Sequence, residues 1–269
     1  MTATVFRLVV CLLAACVLSG GAAAQGRLPR APFVTTPDEV VERMLALAGT
    51  SADDFVIDLG SGDGRIVIAA AAKFGAKGLG VELNPDLVAK SRENALQAGV
   101  AERARFEQRN ALGTDLSRAT VVTIYLLPQL IDALQPNLLY KMQPGARVVT
   151  HAFAMKSWRP DRAETVHLNG RHPGQGDDSR IYLWIVPAQA RGEWQAGELQ
   201  LRIRQNFQEI QVEGQLQGRA LQVTQAKLEG TAISFSGAEF SYRGQVAGNR
   251  ITGEFTRDGA AMPLVLEKR

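Results

Sequence analysis

The arrangement of apolar and polar residues changes abruptly near Pro187. Before this point, short and almost continuously apolar segments alternate with segments of helical period, which is typical of parallel strands covered by helices on both faces. The predicted strands cover residues 55–59, 78–83, 104–108, 121–127, 146–153, 165–168 and 181–186. The pattern therefore predicts an α/β fold with a seven-stranded, doubly wound sheet.

Four amphipathic segments supply the predicted helices, over residues 37–49, 65–74, 85–98 and 128–142. The first has three agreeing start signals, which are Thr36 as the N-cap, Pro37 at the first helical position and Glu39 three residues after the cap. Asn84 is the predicted cap of the third helix. The last three helices each connect one predicted strand to the next.

Beyond Pro187, Gln and Gly become frequent and apolar residues alternate with polar ones. This period of two is typical of strands with one exposed face. About seven short strands are predicted, and they indicate an antiparallel sheet or a small barrel. We expect residues 25–190 and 191–269 to form two domains, the second of them a small all-β domain.

An apolar segment precedes both predicted domains. Arg7 is followed by apolar residues over 8–18 and by small residues over 20–24, which is typical of a secretory signal. We expect cleavage after Ala24 and export of the mature chain to the periplasm. Residues 13–16 also resemble a lipoprotein box, in which Cys16 would carry the lipid that anchors the protein to a membrane. A retained span is disfavoured, because it needs about 20 apolar residues.

Charge and cysteine content exclude several kinds of site. The 269 residues include 30 Lys and Arg against 27 Asp and Glu, and the basic residues are scattered, so no nucleic-acid footprint is indicated. Both cysteines, Cys11 and Cys16, lie in the N-terminal apolar segment. The rest of the chain therefore has no thiol for a disulfide, a zinc site or a nucleophile.

The stretch from 56 to 65, VIDLGSGDGR, joins a buried strand to a helix through a glycine-rich turn. Glycines let the backbone turn sharply and approach a ligand, and the helix N-terminus offers free amides. The spacing G-x-G-x-G departs from the dinucleotide fingerprint G-x-G-x-x-G, because Arg65 occupies the position of the third glycine. Asp58 would repel a pyrophosphate but suits the cationic amino group of a methionine moiety. The turn therefore favours S-adenosylmethionine.

Two further polar residues follow the next strands. Glu82 closes a strand about 20 residues after the turn, where its carboxylate can accept hydrogen bonds from ribose hydroxyls. Asn110 follows the third strand, where a side-chain amide can reach the adenine amino group. The alternatives are a surface carboxylate and a residue that simply starts a turn. Together with the glycine turn, Glu82 is better explained as part of a cofactor site.

These features resemble the class I S-adenosylmethionine-dependent methyltransferases, which have a Rossmann-like seven-stranded sheet. Within that class, residues 33–160 are similar to the protein-lysine methyltransferases that modify the ATP synthase c subunit and the adenine nucleotide translocase, and to their bacterial relatives. The matching features are Thr35-Thr36-Pro37, residues 58–65, residues 82–85, Tyr125-Leu126-Leu127-Pro128, and residues 145–160 with His151, Phe153 and Trp158. The glycine turn is shared by many methyltransferases, whereas the Tyr-Leu-Leu-Pro and His-x-Phe pieces are more particular. The resemblance ends before the C-terminal strands.

The resemblance implies direct transfer of a methyl group from S-adenosylmethionine to a protein lysine. Tyr125, at the end of the fourth strand, is the candidate for orienting the acceptor, with simple packing as the alternative. His151, at the end of the fifth strand, is a candidate base, with a structural role as the alternative. The residues expected to bind the cofactor are Thr36, Asp58, Gly60, Ser61, Gly62, Gly64, Glu82, Asn110 and Ala111.

Two other functions remain open from the sequence alone. The core motifs specify the methyl donor and say little about the acceptor, so a small molecule is an alternative to a protein lysine. An exported domain would also lie where the cofactor is not made, which leaves a ligand-binding protein without catalysis as a further alternative. The C-terminal strands are expected either to bind a partner or substrate or to cover an edge of the first domain. The sequence specifies no oligomeric state.

Overall fold

A mixed sheet of seven strands forms the first part of the described chain. The computed structural model describes residues 31–172 and 176–269. The expected signal sequence over residues 1–24 and the alternative lipidation at Cys16 lie outside the described residues and stay predictions.

The strands of the first sheet are β1 (Phe55–Leu59), β2 (Lys77–Glu82), β3 (Ala104–Gln108), β4 (Val121–Ile124), β5 (Arg147–His151), β6 (Arg162–His172) and β7 (Gly176–Ile185). They lie in the order β3-β2-β1-β4-β5-β7-β6. The first five are parallel, and β7 pairs antiparallel with both β5 and β6. The predicted Rossmann-like sheet is therefore confirmed. The order reverses between β1 and β4, so a ligand is expected at the carboxyl ends of these two strands.

Within residues 31–172 and 176–269, four helices cover the sheet, and they are α1 (Asp38–Leu47), α2 (Arg65–Lys73), α3 (Pro85–Gln97) and α4 (Pro128–Lys141). Val56 of β1 packs in the cluster that contains α1 and α2, whereas its neighbour Ile57 packs in the cluster that contains α4. Because both faces of β1 are buried in this way, the strand is almost wholly apolar. The predicted cap of α3 is confirmed, since the Asn84 side chain accepts a hydrogen bond from the Asp86 amide.

The predicted start of α1 is wrong in one respect. Pro37, rather than Thr36, is the N-cap, and no side chain caps this helix. The Thr36 hydroxyl instead lies 3.1 Å from Nδ1 of His151, a residue 115 positions away in sequence. A tertiary hydrogen bond has thus replaced the local cap that the sequence pattern favoured.

Two strands also end earlier than predicted. β4 stops at Ile124 and not at residue 127, because its pairing with β1 and β5 ends there and residues 125–127 lead into α4. β5 stops at His151 and not at residue 153, because Ala152 adopts a positive φ of 66°. Both shortened ends lie at the carboxyl edge of the sheet, which leaves Tyr125 and Ala152 outside the strands.

A second sheet follows a short linker. Its nine strands are β8 (Gly192–Ala196), β9 (Leu199–Asn206), β10 (Glu209–Leu216), β11 (Arg219–Leu221), β12 (Gln225–Glu229), β13 (Ala232–Ser236), β14 (Phe240–Ala247), β15 (Arg250–Arg257) and β16 (Ala260–Lys268). They lie in the order β11-β10-β9-β8-β16-β15-β14-β13-β12, and all neighbours are antiparallel. β12 approaches β10, so the sheet curls.

The antiparallel nature of the second sheet is confirmed, but the predicted number of about seven strands was too low. β8 and β12 were missed because each buries a single large apolar side chain, Trp194 in β8 and Leu228 in β12. The second inward-facing residue of each strand is only an alanine, Ala196 in β8 and Ala226 in β12, so the period of two was too weak to reveal either strand.

The linker between the sheets is fixed by Gln205 of β9. Its Oε1 accepts hydrogen bonds from the amides of Ala190, at 2.8 Å, and Arg191, at 3.0 Å, and its Nε2 donates to the Ala188 carbonyl at 2.9 Å. The predicted boundary between residues 190 and 191 falls in this linker. Residues 31–269 form one compact unit, so the second sheet is docked on the first domain.

Candidate functional site

The turn between β1 and α2 is held open by three glycines. Gly60, Gly62 and Gly64 have φ values of 85°, 54° and 86°, a region that residues with a β-carbon rarely adopt. The amides of Gly60 and Ser61 both donate to the Val81 carbonyl of the neighbouring strand, at 2.9 and 3.0 Å. The glycine turn, residues 58–65, therefore brings backbone amides and the start of α2 to the switch point of the sheet.

Asp58 lies at the base of the glycine turn and is only 2% exposed. Its Oδ1 accepts a hydrogen bond of 2.8 Å from the Thr123 hydroxyl of β4. Burial, together with the negative charges of Glu82 and Asp63, raises the pKa of Asp58 to about 7. A buried carboxyl surrounded by other carboxylates favours a cationic ligand group, as the sequence predicted for the amino group of a methionine moiety.

Glu82 joins the end of β2 to the glycine turn. Its Oε2 accepts a hydrogen bond from the Gly62 amide at 3.1 Å, and its Oε1 accepts from the amides of Leu83, at 2.8 Å, and Asn84, at 2.9 Å. A carboxylate has about four acceptor positions, so Oε2 keeps capacity for a further donor. The side chain is thus held in one orientation with an oxygen free to accept from a ribose hydroxyl.

Ser61 is a buried polar residue of the glycine turn. Its side chain is 5% exposed, and its hydroxyl has no hydrogen-bond partner among the described residues. The hydroxyl lies towards the neighbouring strand, since a β-carbon at Gly80 would be 2.6 Å from it. Asp58, Glu82 and the amides at the start of α2 therefore form the donor and acceptor set, and this set fits S-adenosylmethionine.

An N-terminal segment lies over the glycine turn. The Phe33 ring is so close to Gly62 that a β-carbon there would lie 2.6 Å from it. Arg65 donates to the Thr36 carbonyl at 2.9 Å and pairs with Asp63 at 2.6 Å, so it ties this segment to the turn. From the sequence alone, Arg65 was interpreted only as evidence against a dinucleotide site. Its bonding role was missed because its partners are not evident from spacing.

Asn110 and Ala111 lie where the sequence placed them, directly after β3 at the carboxyl edge. Asn110 caps a short 3₁₀ helix, Ala111–Gly113, and its Oδ1 accepts a hydrogen bond of 3.0 Å from the Leu112 amide. Asn110 therefore does start a turn. A contact of Asn110 or Ala111 with adenine stays a prediction.

Tyr125 and His151 come together at the ends of β4 and β5. Their ring centroids are 4.2 Å apart, and Tyr125 is half-buried. His151 is fully buried, with Nδ1 near the Thr36 hydroxyl and Nε2 3.2 Å from the Ser179 hydroxyl of β7. Neutral imidazole can make both bonds, one as donor and one as acceptor. The catalytic roles predicted for Tyr125 and His151 stay predictions.

Thr123 and Ser179 are residues of this site that sequence reasoning missed. Thr123 is a polar residue within an apolar strand, a signal that could have revealed it. Ser179 had no comparable signal, because its place beside His151 depends on the register of β7 against β5.

The described ranges contain no cluster of three or more His, Cys, Asp and Glu side chains that could hold a metal ion. Across the same residues, every helix is too short or too polar to cross a membrane.

Comparison with known proteins identifies the methyltransferase part of the chain. A family model described as the ANTKMT methyltransferase domain matches residues 58–162. A protein-lysine N-methyltransferase of Saccharolobus islandicus is 44% identical over 160 residues, which cover 59% of this chain and 96% of that protein. A Xenopus laevis lysine N-methyltransferase of the ATP synthase c subunit is 41% identical over 134 residues, which cover 50% of this chain and 57% of that relative.

A solved structure shows the same fold with the cofactor product bound. It is an RNA methyltransferase from Salinibacter ruber in complex with S-adenosyl-L-homocysteine, 48% identical, with a TM-score of 0.53. The match covers 58% of this chain and 95% of that one. S-adenosylmethionine is therefore the cofactor. The match with the Saccharolobus islandicus protein covers that relative almost from end to end. The chain belongs to the class I S-adenosylmethionine-dependent protein-lysine N-methyltransferases.

Proposed function

We propose that this protein methylates a lysine side chain of another protein at the carboxyl edge of the first sheet, beside Tyr125. The observation that carries the proposal is the buried Asp58 carboxyl at the glycine turn, next to an acceptor position at the ends of β4 and β5. The relatives that are 44% and 41% identical are named for lysine methylation, which supports lysine as the acceptor.

The residues around the glycine turn would hold the cofactor. Asp58 would accept a hydrogen bond from its amino group, and Glu82 would accept from its ribose. When bound, S-adenosylmethionine supplies a methyl group on a positively charged sulfur, which leaves as a neutral thioether. The protein therefore has to align an amine with that methyl group more than it has to supply an acid, so proximity and orientation dominate.

The acceptor amine must lose its proton before it can react. Its ordinary pKa is about 10.4, and transfer from water to a partly buried site lowers it, since burial disfavours the charged form. Half-buried Tyr125 would orient the amine at this position. His151, whose two ring nitrogens already face hydroxyls, would hold the Tyr125 ring in place.

RNA is the competing acceptor, because the Salinibacter ruber protein is described as an RNA methyltransferase. An RNA site needs Lys and Arg side chains that can neutralise phosphates. Near this edge, Arg65 is paired with Asp63, and Arg109 is paired with Glu107 at 2.8 Å. These two pairs reduce the positive charge near the glycine turn, and RNA labelling is one outcome of the experiment.

The experiment supplies the purified protein and S-adenosylmethionine with a deuterated methyl group to a cell extract. Mass spectrometry of proteolytic peptides is expected to find the label on lysine. Digested RNA and the small-molecule fraction are measured in parallel. Label confined to nucleosides or to small molecules would contradict the proposal. The Asp58→Asn variant is the control for cofactor-dependent transfer.

Replacing Tyr125 by Phe is expected to lower kcat about fivefold, because a hydrogen bond that orients the amine contributes about 1 kcal/mol to the transition state. Steady-state kinetics with a labelled peptide acceptor measure the change. The affinity for S-adenosylmethionine should stay the same, since Tyr125 lies beyond the glycine turn. Tyr140→Phe on α4 is the matched control, because the Tyr140 side chain is 77% exposed. An unchanged kcat in Tyr125→Phe would leave Tyr125 with a packing role only.

A further inference from the structure

The acceptor loop, residues 152–161, leads away from the candidate site. It begins directly after His151, whose ring lies against Tyr125. On one side α4 holds the loop, because the Lys156 amide donates to Asp132 at 3.1 Å and Ser157 bonds to Gln135 at 3.0 Å. The loop therefore starts beside the acceptor position and is anchored on α4.

The other side of the acceptor loop is held by the second sheet. The indole Nε1 of Trp158, a fully buried side chain, donates to Oε1 of Gln208 at 2.8 Å. The Gln208 Nε2 donates in turn to the Arg159 carbonyl at 2.7 Å. The Phe207 ring stacks on Trp158 with centroids 5.8 Å apart and planes 15° from parallel. Phe207 and Gln208 form the turn between β9 and β10.

The backbone of this turn is unusual for an aromatic residue. Phe207 has a φ of 54°, in the left-handed region that bulky side chains avoid. Its ring packs in the core of the first domain and not in the core of the second sheet. The Gln205 side chain donates to the Phe207 carbonyl at 2.7 Å and so fixes the conformation. Gln217 and Asp258 have similar φ values in other hairpin turns of this sheet, so the distinctive feature of the Phe207 turn is its contact with the first domain.

We propose that the β9–β10 turn is a positioning element for the methyl acceptor, in which Gln208 and Phe207 hold the acceptor loop in the conformation that binds the acceptor. The proposal rests on the proposed function, and it gives the second sheet a role in acceptor recognition. The family match ends at residue 162, before the second sheet begins, so this device is an addition to the shared methyltransferase core.

The proposal has a definite kinetic consequence. If the acceptor loop adopts its binding conformation only part of the time, the apparent affinity for the acceptor falls by that fraction. A saturating acceptor restores the conformation, so kcat stays the same. S-adenosylmethionine binds at the glycine turn on other residues, so its affinity stays the same as well.

Gln208→Ala tests the proposal, because it removes the bonds to Trp158 and to the Arg159 carbonyl. The KM for the acceptor is expected to rise about tenfold, with kcat and the Kd for S-adenosylmethionine unchanged. Hydrogen exchange should become faster in residues 152–161. Gln217→Ala is the matched control, since Gln217 is an exposed residue with a φ of 53° in the next hairpin turn of the same sheet. It should change none of these quantities.

A second variant separates the two bonds. Gln208→Glu keeps an acceptor for the Trp158 indole but places a carboxylate oxygen against the Arg159 carbonyl, so its acceptor KM should rise at least as much as that of Gln208→Ala. An unchanged acceptor KM in Gln208→Ala overturns the proposal, as does a joint fall in kcat and cofactor affinity, which would indicate a purely structural role. If the wild type labels no protein lysine, the proposed function fails. The KM for whichever acceptor takes the label is then the quantity that tests the turn.

Discussion

Asp58→Asn is expected to weaken S-adenosylmethionine binding by at least about thirtyfold, because removing one partner of a buried charge pair costs about 2 to 5 kcal/mol. The Asp58 side chain is 2% exposed and lies at the base of the glycine turn, so water cannot solvate the ligand amino group there in place of the carboxylate. Asn has nearly the same shape and can keep the hydrogen bond with Thr123. The loss would therefore come from the charge and not from a change in packing.

The same substitution should stabilise the cofactor-free protein at pH 8. The pKa of Asp58 rises from 3.8 to about 7 on folding, so the folded state holds this proton more tightly than the unfolded chain does. The Asp58 contribution to the free energy of unfolding is therefore highest below about pH 4 and falls as the pH rises to about 7. Asn does not ionise, so it does not lose stability in this way. At pH 8 we expect the free energy of unfolding of Asp58→Asn to exceed that of the wild type by about 2 to 4 kcal/mol.

Urea unfolding at pH 8 and isothermal titration with S-adenosylmethionine measure the two effects. For the wild type, affinity should rise about fivefold from pH 6 to pH 7.5 as Asp58 ionises, while most of the ligand amino group stays charged. The variant should lack this rise. Asp53→Asn is the matched control, since it removes the same charge at an exposed position before β1. Wild-type affinity in Asp58→Asn would contradict the cofactor role of Asp58.

Gly64→Ala is expected to lower the free energy of unfolding by about 2 to 4 kcal/mol, from a left-handed backbone and an overpacked core acting together. Gly64 has a φ of 86°. A β-carbon there would lie 2.7 Å from the Phe106 ring and 2.8 Å from the β-carbon of Ser91. Since Gly64 opens α2, the shift needed to relieve these contacts would also displace the amides of the glycine turn and weaken cofactor binding.

Gly99→Ala separates the two causes. Gly99 also has a positive φ, of 68°, but a β-carbon there would meet no atom within 4 Å. We therefore expect Gly99→Ala to lower the free energy of unfolding by only about 1 to 2 kcal/mol, the cost of the left-handed backbone alone, and to bind S-adenosylmethionine normally. Urea unfolding of both variants provides the comparison. Equal losses would show that the packing around Gly64 contributes nothing.

The sequence was sufficient for features that depend on neighbouring residues. The apolar run of β1 predicted the strand, because a strand buried on two faces consists mostly of apolar residues. The glycines that follow it predicted the turn, because positive φ values favour glycine. Glu82 was found for the same reason, since the end of a parallel strand has a known place in such a sheet.

Features that depend on distant partners were not predictable in this way. The pattern around Thr36 favoured a helix cap, yet its hydroxyl bonds to His151 across 115 residues. Gln208 looked like any polar residue in a hairpin turn, because its partners, Trp158 and the Arg159 carbonyl, belong to the other domain. Such bonds are specified by sheet order and register, which a single sequence does not record locally.

The hydrogen bonds of His151 also bear on how the chain is made. Thr36 comes 115 residues before this histidine, and Ser179 comes 28 residues after it. A polypeptide that leaves the ribosome from its N-terminus can fold the glycine turn early, but it cannot complete the surroundings of His151 until β7 has emerged. The surroundings of the acceptor position are therefore completed later in synthesis than the glycine turn.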